Sequence, residues 1–190
     1  MARVEATRLV EEALWRVGFV HVAGVDEVGR GCLAGPVVAG AVILGPGFAV
    51  RGLADSKLVP PAERERLADR IRRGALAWAV AEVGAADIDR IAIHRASLES
   101  MRRAVMCLSP RPDAVLVDAF TIPGLPVAQR GIVHGDRLCA SIAAASIIAK
   151  VHRDRLMVAL HAEDDRYGYA RHKGYATPEH LAAVARFGYS

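Results

Sequence analysis

The sequence predicts an α/β fold with a mixed five-stranded sheet: an antiparallel meander, then parallel βα units, flanked by helices and ended by a C-terminal helical segment. Three observations predict it. Two apolar, β-branched runs follow one another early in the chain, as hairpin-connected strands do, and a third strand-like run comes after a charged helix. Two shorter strand-like runs then alternate with helical stretches, and parallel strands need such crossovers. A long alanine-rich stretch around Lys150 has the propensity and length to cover a sheet face.

In order, residues 4–17 place Val4, Leu9, Val10, Ala13, Leu14 and Val17 at helical spacing and stop at Gly18. Residues 20–28 and 36–44 are strands joined by a glycine-rich link, 29–35. Pro60-Pro61 opens a charged helix over 62–73, and 76–83 is the third strand. Residues 97–108 form a helix, 114–119 a short buried strand between prolines, and 127–133 a weaker strand. The long helix covers 138–161, a loop rich in glycine and tyrosine follows, and the last helix opens at Pro178, where proline suits the first turn. No repeat or linker divides the chain, so one domain is expected over 1–190, with about 165–190 as an appendage.

A hydrophobic share of 53% supplies one substantial core, and 24% charged residues exclude a disordered or fibrous chain. The net charge of +4 leans mildly toward a polyanionic partner. Cys32, Cys107 and Cys139 are odd in number and form no C-x-x-C pair, which argues for reduced thiols and against a zinc site. Glu5, Glu11 and Glu12 interrupt any signal-peptide core, and the apolar stretches fall short of the ~20 residues of a membrane span. The expectation is a soluble cytoplasmic monomer with no membrane partner and no small-molecule cofactor.

The most informative segment is Gly24-Val25-Asp26-Glu27-Val28-Gly29-Arg30-Gly31. Two acids near the end of an apolar strand need a base or a metal, because a buried charge without a partner is costly. Strand neighbours point to opposite faces, so a shared site requires a strand end or a bulge. Asp118 closes another apolar run, at the strand end where open α/β sheets place their chemistry. Asp136 precedes the long helix, where an aspartate is also a routine cap. Together the four acids would form an oxygen-only cage suited to Mg²⁺ or Mn²⁺. Residues 29–34 match G-x-G-x-x-G/A, but a strand follows where a dinucleotide fold needs a helix, so that reading is rejected.

Residues 24–36, Asp55-Ser56-Lys57, Val115-Leu116-Val117-Asp118, residues 141–154 and His172-Lys173-Gly174-Tyr175 together resemble the ribonuclease HII family. The resemblance implies a ribonuclease H-like fold and an endonuclease that hydrolyses the RNA strand of RNA–DNA hybrids. It also implies cutting 5′ of single ribonucleotides embedded in duplex DNA, leaving 3′-hydroxyl and 5′-phosphate ends. Asp26, Glu27, Asp118 and Asp136 would be catalytic and ligate two ions of Mn²⁺ or Mg²⁺. Gly29, Arg30 and Gly31 would sense the 2′-hydroxyl, Tyr175 would pack on the DNA side of the junction, and 165–190 would help bind substrate. Lys57, Lys150, Arg153 and Lys173 are candidate phosphate contacts.

Three departures from the family pattern stand out: Ala119 replaces a usual glycine, Leu58 replaces a common lysine, and no basic tail follows Phe187-Gly188-Tyr189-Ser190. Absence of the large N-terminal extension of ribonuclease HIII favours type two. The arginines of 62–73 suggest a solvated face, Asp154 a partner for a nearby base, His134 and His172 surface residues, Ser141 and Ser146 packing, and Trp15 and Trp78 core. The rival readings are a hybrid-binding module that does not cut and another two-metal nuclease such as a resolvase.

Overall fold

The computed structural model describes residues 5–49 and 51–189. Its strands are β1 (Val22–Val28), β2 (Val37–Ile43), β3 (Ala77–Val83), β4 (Ala114–Asp118) and β5 (Ala128–Ile132). They form one sheet in the order β3-β2-β1-β4-β5. The β1–β2 and β2–β3 pairs are antiparallel, and the β1–β4 and β4–β5 pairs are parallel. This is the expected mixed sheet. From β1 the chain runs to β2 on one side and reaches β4 on the other. The crevice beyond the ends of β1 and β4 is thus a topological switch point, where such sheets bind ligands.

The helices are α1 (Leu9–Arg16), α2 (Pro61–Gly74), α3 (Ala85–Ile91), α4 (Ile93–Met106), α5 (Gly135–Leu138), α6 (Ala140–Glu163), α7 (Tyr169–His172) and α8 (Pro178–Phe187). Side-chain alternation along β1 sends Ala23 and Val25 into a core cluster with Met101, Ala104 and Val105 of α4. Gly24 and Asp26 have the opposite parity and face α6. A Cβ at Gly24 would lie 2.1 Å from the backbone carbon of Ser141, and one at Gly40 would lie 2.4 Å from the Ala145 carbonyl oxygen. Helix and sheet therefore meet backbone to backbone.

Several elements differ from the sequence expectation. The first helix begins only at Leu9, and Val4 lies outside the described residues. Thr7 instead makes a parallel bridge to Cys139, so the start of the chain ties down the start of α6. Helix α3 and the first turn of α4 were not foreseen, because Asp87, Asp89 and Arg90 mask the apolar spacing there. Trp78 is 41% exposed with Arg72 over its ring at 5.7 Å, because β3 is an edge strand and this face is open. Trp15 is half-buried against a side cluster.

Gly24→Ala should destabilise the protein by about 3 kcal/mol, the upper end of overpacking costs, because backbone meets the new methyl. Urea unfolding checks this; a loss under about 1 kcal/mol would mean α6 can shift off the sheet.

Candidate active site

The ends of β1 and β4 open into a cleft of about 520 Å³ lined by Asp26, Glu27, Asp118 and Asp136. Gly29, Arg30, Gly31, Lys57, Lys150 and Tyr175 line the same cleft. Asp26 is 7% exposed, and its Oδ1 accepts from the Glu27 amide at 2.8 Å. Glu27 belongs to the opposite side-chain parity but sits near the strand end, so both acids reach one cleft. Asp118 is the last residue of β4, and its Oδ1 accepts from the Gly135 amide at 2.7 Å. That bond pins the turn carrying Asp136. Asp136 is not a cap: the cap positions of α5 and α6 are His134 and Cys139.

Burial, and then the charge of neighbouring acids, raises the proton affinity of Asp26, Glu27 and Asp136. Burial pushes the Asp26 carboxyl well above the usual carboxylate range, reinforced by the charges of Glu27 and Asp118. Burial and then Asp118 raise Glu27, partly offset by Arg30 and Lys57. Burial, Asp55 and Asp118 raise Asp136. Such a cluster lacks enough positive charge of its own. Its donors are all carboxylate oxygens, which hard Mg²⁺ or Mn²⁺ prefers and zinc does not. Among the described residues no three acids are drawn into ligating geometry, so an ion would have to draw the side chains together. The donor chemistry fits such an ion.

Lys57 is exposed on a 3-10 turn, Ser56–Leu58, which the Asp55 side chain caps by accepting from the Lys57 amide at 3.1 Å. Arg137 in turn holds Asp55 at 3.1 Å. Lys150 points from α6 into the cleft, 5.5 Å from the Tyr175 ring, with Asp154 accepting from its Nζ at 2.6 Å. Asp154 also accepts from Arg64 at 3.0 Å, so Arg64, at 8% exposed, is buried and not part of a solvated face. Ser146 and Ser56 share a hydrogen bond of 2.9 Å, and the Ser146 hydroxyl also serves Asp26. Sequence reasoning took Ser146 for packing, because a serine among alanines on a buried helix carries no sign of its partner.

Three expected positions fall elsewhere. Arg153 is 0% exposed, with its guanidinium spent on backbone carbonyls, so it is placed to support the loops and not to meet a phosphate. Lys173 has a left-handed φ of 52°, lines a neighbouring depression together with Asp154, and donates to the Ala170 carbonyl. His172 is buried, stacked on His180 at 4.5 Å, and its Nδ1 accepts from the Gly174 amide at 3.2 Å. It supports the turn before Tyr175 from beneath.

The family model for ribonuclease HII matches residues 23–189. Ribonuclease HII of Mycobacterium avium (strain 104) is 54% identical over 183 residues, covering 95% of this chain and 80% of that protein. The Moorella thermoacetica ribonuclease HII is 53% identical over 186 residues, covering 98% and 90%. The structure of ribonuclease H2 from Pyrococcus horikoshii OT3 superposes with a TM-score of 0.75 at 28% identity, covering 87% of this chain and 86% of that one. Archaeoglobus fulgidus ribonuclease HII, solved as a complex with PCNA, gives 0.74 at 26% identity, covering 88% of each.

The raised Asp26 pKa makes a stability prediction for the metal-free protein. Above its unfolded pKa, the unfolded chain has released a proton that the folded one retains, so stability falls as pH rises through the folded value. Asp26→Asn removes that penalty. In EDTA at about pH 8 this variant should melt above the wild type, by roughly 2–4 °C for each kcal/mol relieved, with the gap narrowing on acidification. Equal melting temperatures at both pH values would mean that Asp26 carries no such burden.

Proposed function

The chain belongs to the ribonuclease HII family and is a type 2 ribonuclease H, and from that premise we propose a finer reading. It hydrolyses the RNA strand of RNA–DNA hybrids and also nicks duplex DNA on the 5′ side of a single embedded ribonucleotide. The observation that carries this is the company the acids keep. One cleft holds Asp26, Glu27, Asp118 and Asp136 together with the Gly29-Arg30-Gly31 loop and Tyr175.

Asp26, Glu27, Asp118 and Asp136 would hold the divalent cations, Mg²⁺ or Mn²⁺ and two in number, which supply water activation and charge neutralisation at the scissile phosphate. The chain's own residues do the rest. Gly29 and Gly31 bring backbone polar groups close to the ribose, where the 2′-hydroxyl is what separates RNA from DNA. The Tyr175 ring, half-buried beside Lys150, packs against the following deoxyribose, where an extra hydroxyl would be crowded or left unsatisfied. Lys57 and Lys150 take the flanking phosphates as point charges. Water attack on phosphorus with departure of the 3′ oxygen leaves a 3′-hydroxyl and a 5′-phosphate. Residues 1–190 act as one domain and as a monomer, with about 165–190 contributing to substrate binding. A hybrid-binding module would gain nothing from acids facing phosphates, so cutting is the favoured reading.

The test uses three labelled substrates: a DNA duplex with one ribonucleotide, an all-DNA duplex and a long hybrid. With Mg²⁺ or Mn²⁺ the first should be nicked 5′ of the ribonucleotide, the second left intact and the third cut, and EDTA should stop all cleavage. Asp118→Asn should lower turnover more than about 100-fold, beyond what loss of an outer-shell partner costs. Cutting of the long hybrid alone would remove the junction reading, and binding without any cleavage would favour the binding module.

A further inference from the structure

Arg153 lies on α6 nearly one turn beyond Lys150 and is fully buried. Its Nε donates to the Pro36 carbonyl at 2.9 Å, and one terminal nitrogen donates to Ala34 at 3.0 Å. The other terminal nitrogen donates to the Lys173 carbonyl at 2.8 Å. The first two acceptors close the glycine loop, and the third sits two residues before Tyr175. Among the described residues, no salt bridge to a carboxylate is found for it. A planar guanidinium with five fixed N–H groups can satisfy three carbonyls in this way, and a lysine ammonium cannot reproduce the fork.

The loop is built against that guanidinium. A Cβ at Gly29, where φ is +104°, would lie 2.6 Å from Arg153 Nε. One at Gly35, where φ is +85°, would lie 2.4 Å from Met157 Sδ and 3.4 Å from a terminal nitrogen of Arg153. The two segments also touch directly. The Leu33 amide donates to the Gly174 carbonyl at 2.9 Å, and Cys32 and Tyr175 form an isolated antiparallel bridge. An isolated pairing of this kind is too short to hold its own geometry in water.

We propose that Arg153 is a positioning residue that ties the glycine loop and the Tyr175 turn into one rigid unit, fixing the spacing at which ribose and neighbouring deoxyribose are tested. This rests on the junction reading above. A single embedded ribonucleotide satisfies both tests only at one register, so it depends on that spacing. A long hybrid offers a 2′-hydroxyl at every step of its RNA strand and depends on the spacing less. Loss of the fork therefore lowers selectivity for the junction beyond any general loss of activity.

The experiment compares wild type with Arg153→Lys, which keeps the charge without the fork, and Arg153→Met, which keeps bulk without donors. Two quantities are read: the ratio of kcat/KM on the single-ribonucleotide duplex to that on the long hybrid, and amide hydrogen exchange in the metal-free protein. The ratio should fall on the order of tenfold or more, as a displaced contact group does. Exchange at Leu33 and Tyr175 should accelerate together while the middle of α6 stays protected. An equal fall on both substrates, in step with the melting temperature, would overturn the proposal. If wild type leaves the single ribonucleotide uncut, the junction reading has failed, and exchange alone decides: loosening of one segment or neither refutes the tie. If neither Arg153 variant folds, Gly29→Ala, whose Cβ would lie 2.6 Å from Arg153 Nε, crowds the guanidinium from the loop side and must loosen both segments, and an effect confined to the loop refutes it.

Discussion

Helix α6 can lie against β1 and β2 only because Gly24 and Gly40 present no side chain where Ser141 and Ala145 pass. Everything chemical in the protein is referenced to that contact. From one helix, Ser146 reaches Asp26, Lys150 reaches the cleft and Arg153 reaches the two loops, at the spacing that a helical turn imposes. The helix start is held from another direction, where the buried Glu11 of α1 accepts from the Ser141 amide at 2.8 Å and its hydroxyl at 2.6 Å. A helix so anchored at its beginning transmits position accurately along its length. A shift of α6 would move the cleft wall, the lysine and the loop support together.

The same closeness creates the electrostatic burden of the site. Asp26 faces α6 across glycine and alanine backbone, so it loses water without gaining an arginine, and its proton affinity rises. Lysines and arginines nearby are mostly committed elsewhere. Lys150 pairs with Asp154, Arg64 also pairs with Asp154, and Arg137 pairs with Asp55. Arg137 and Lys57 offset the burden on Asp136 only in part, and its carboxyl still stays above the usual range. An acid cluster kept short of counter-charge is a poor arrangement for stability and a good one for attracting a hard cation.

Much of this was legible in the residues. Apolar runs, prolines and glycine links located all five strands, because strand periodicity and turn chemistry are local. Asp26, Glu27 and Asp118 stood out as acids in apolar strands, and burial of a charge needs a reason. Less legible were features decided by distant partners. Arg153 and Arg64 look like surface bases in a sequence, since nothing local says that Pro36, Ala34 and Lys173, or Asp154 and Ser56, will enclose them. Trp78 failed in the opposite sense, because an aromatic in a strand signals core only when that face is covered. Helix α3 was hidden because exposed helices owe little to apolar spacing.

The alanine at position 119 shows how the site tolerates a departure from its family pattern. Its φ of 58° is a region where glycine is at ease and an alanine is strained by roughly 1–2 kcal/mol. Two hydrogen bonds hold it there: the Ala119 amide donates to the Ile132 carbonyl at 2.9 Å, and the Phe120 amide donates to the Asp118 carbonyl at 2.7 Å. The first extends the parallel β4–β5 pairing past the end of β4, and Gly131 opposite leaves room, since a Cβ there would lie 2.6 Å from the Phe120 oxygen. The tight turn keeps Asp118 at the strand end and delivers Phe120 beneath the Arg30 guanidinium, 4.8 Å from the ring centre. The acid and the glycine loop are thereby joined at a contact separate from those of Arg153. Strain at one alanine is offset by pairing on one side and a cation–π contact on the other, and the carboxylate keeps its place.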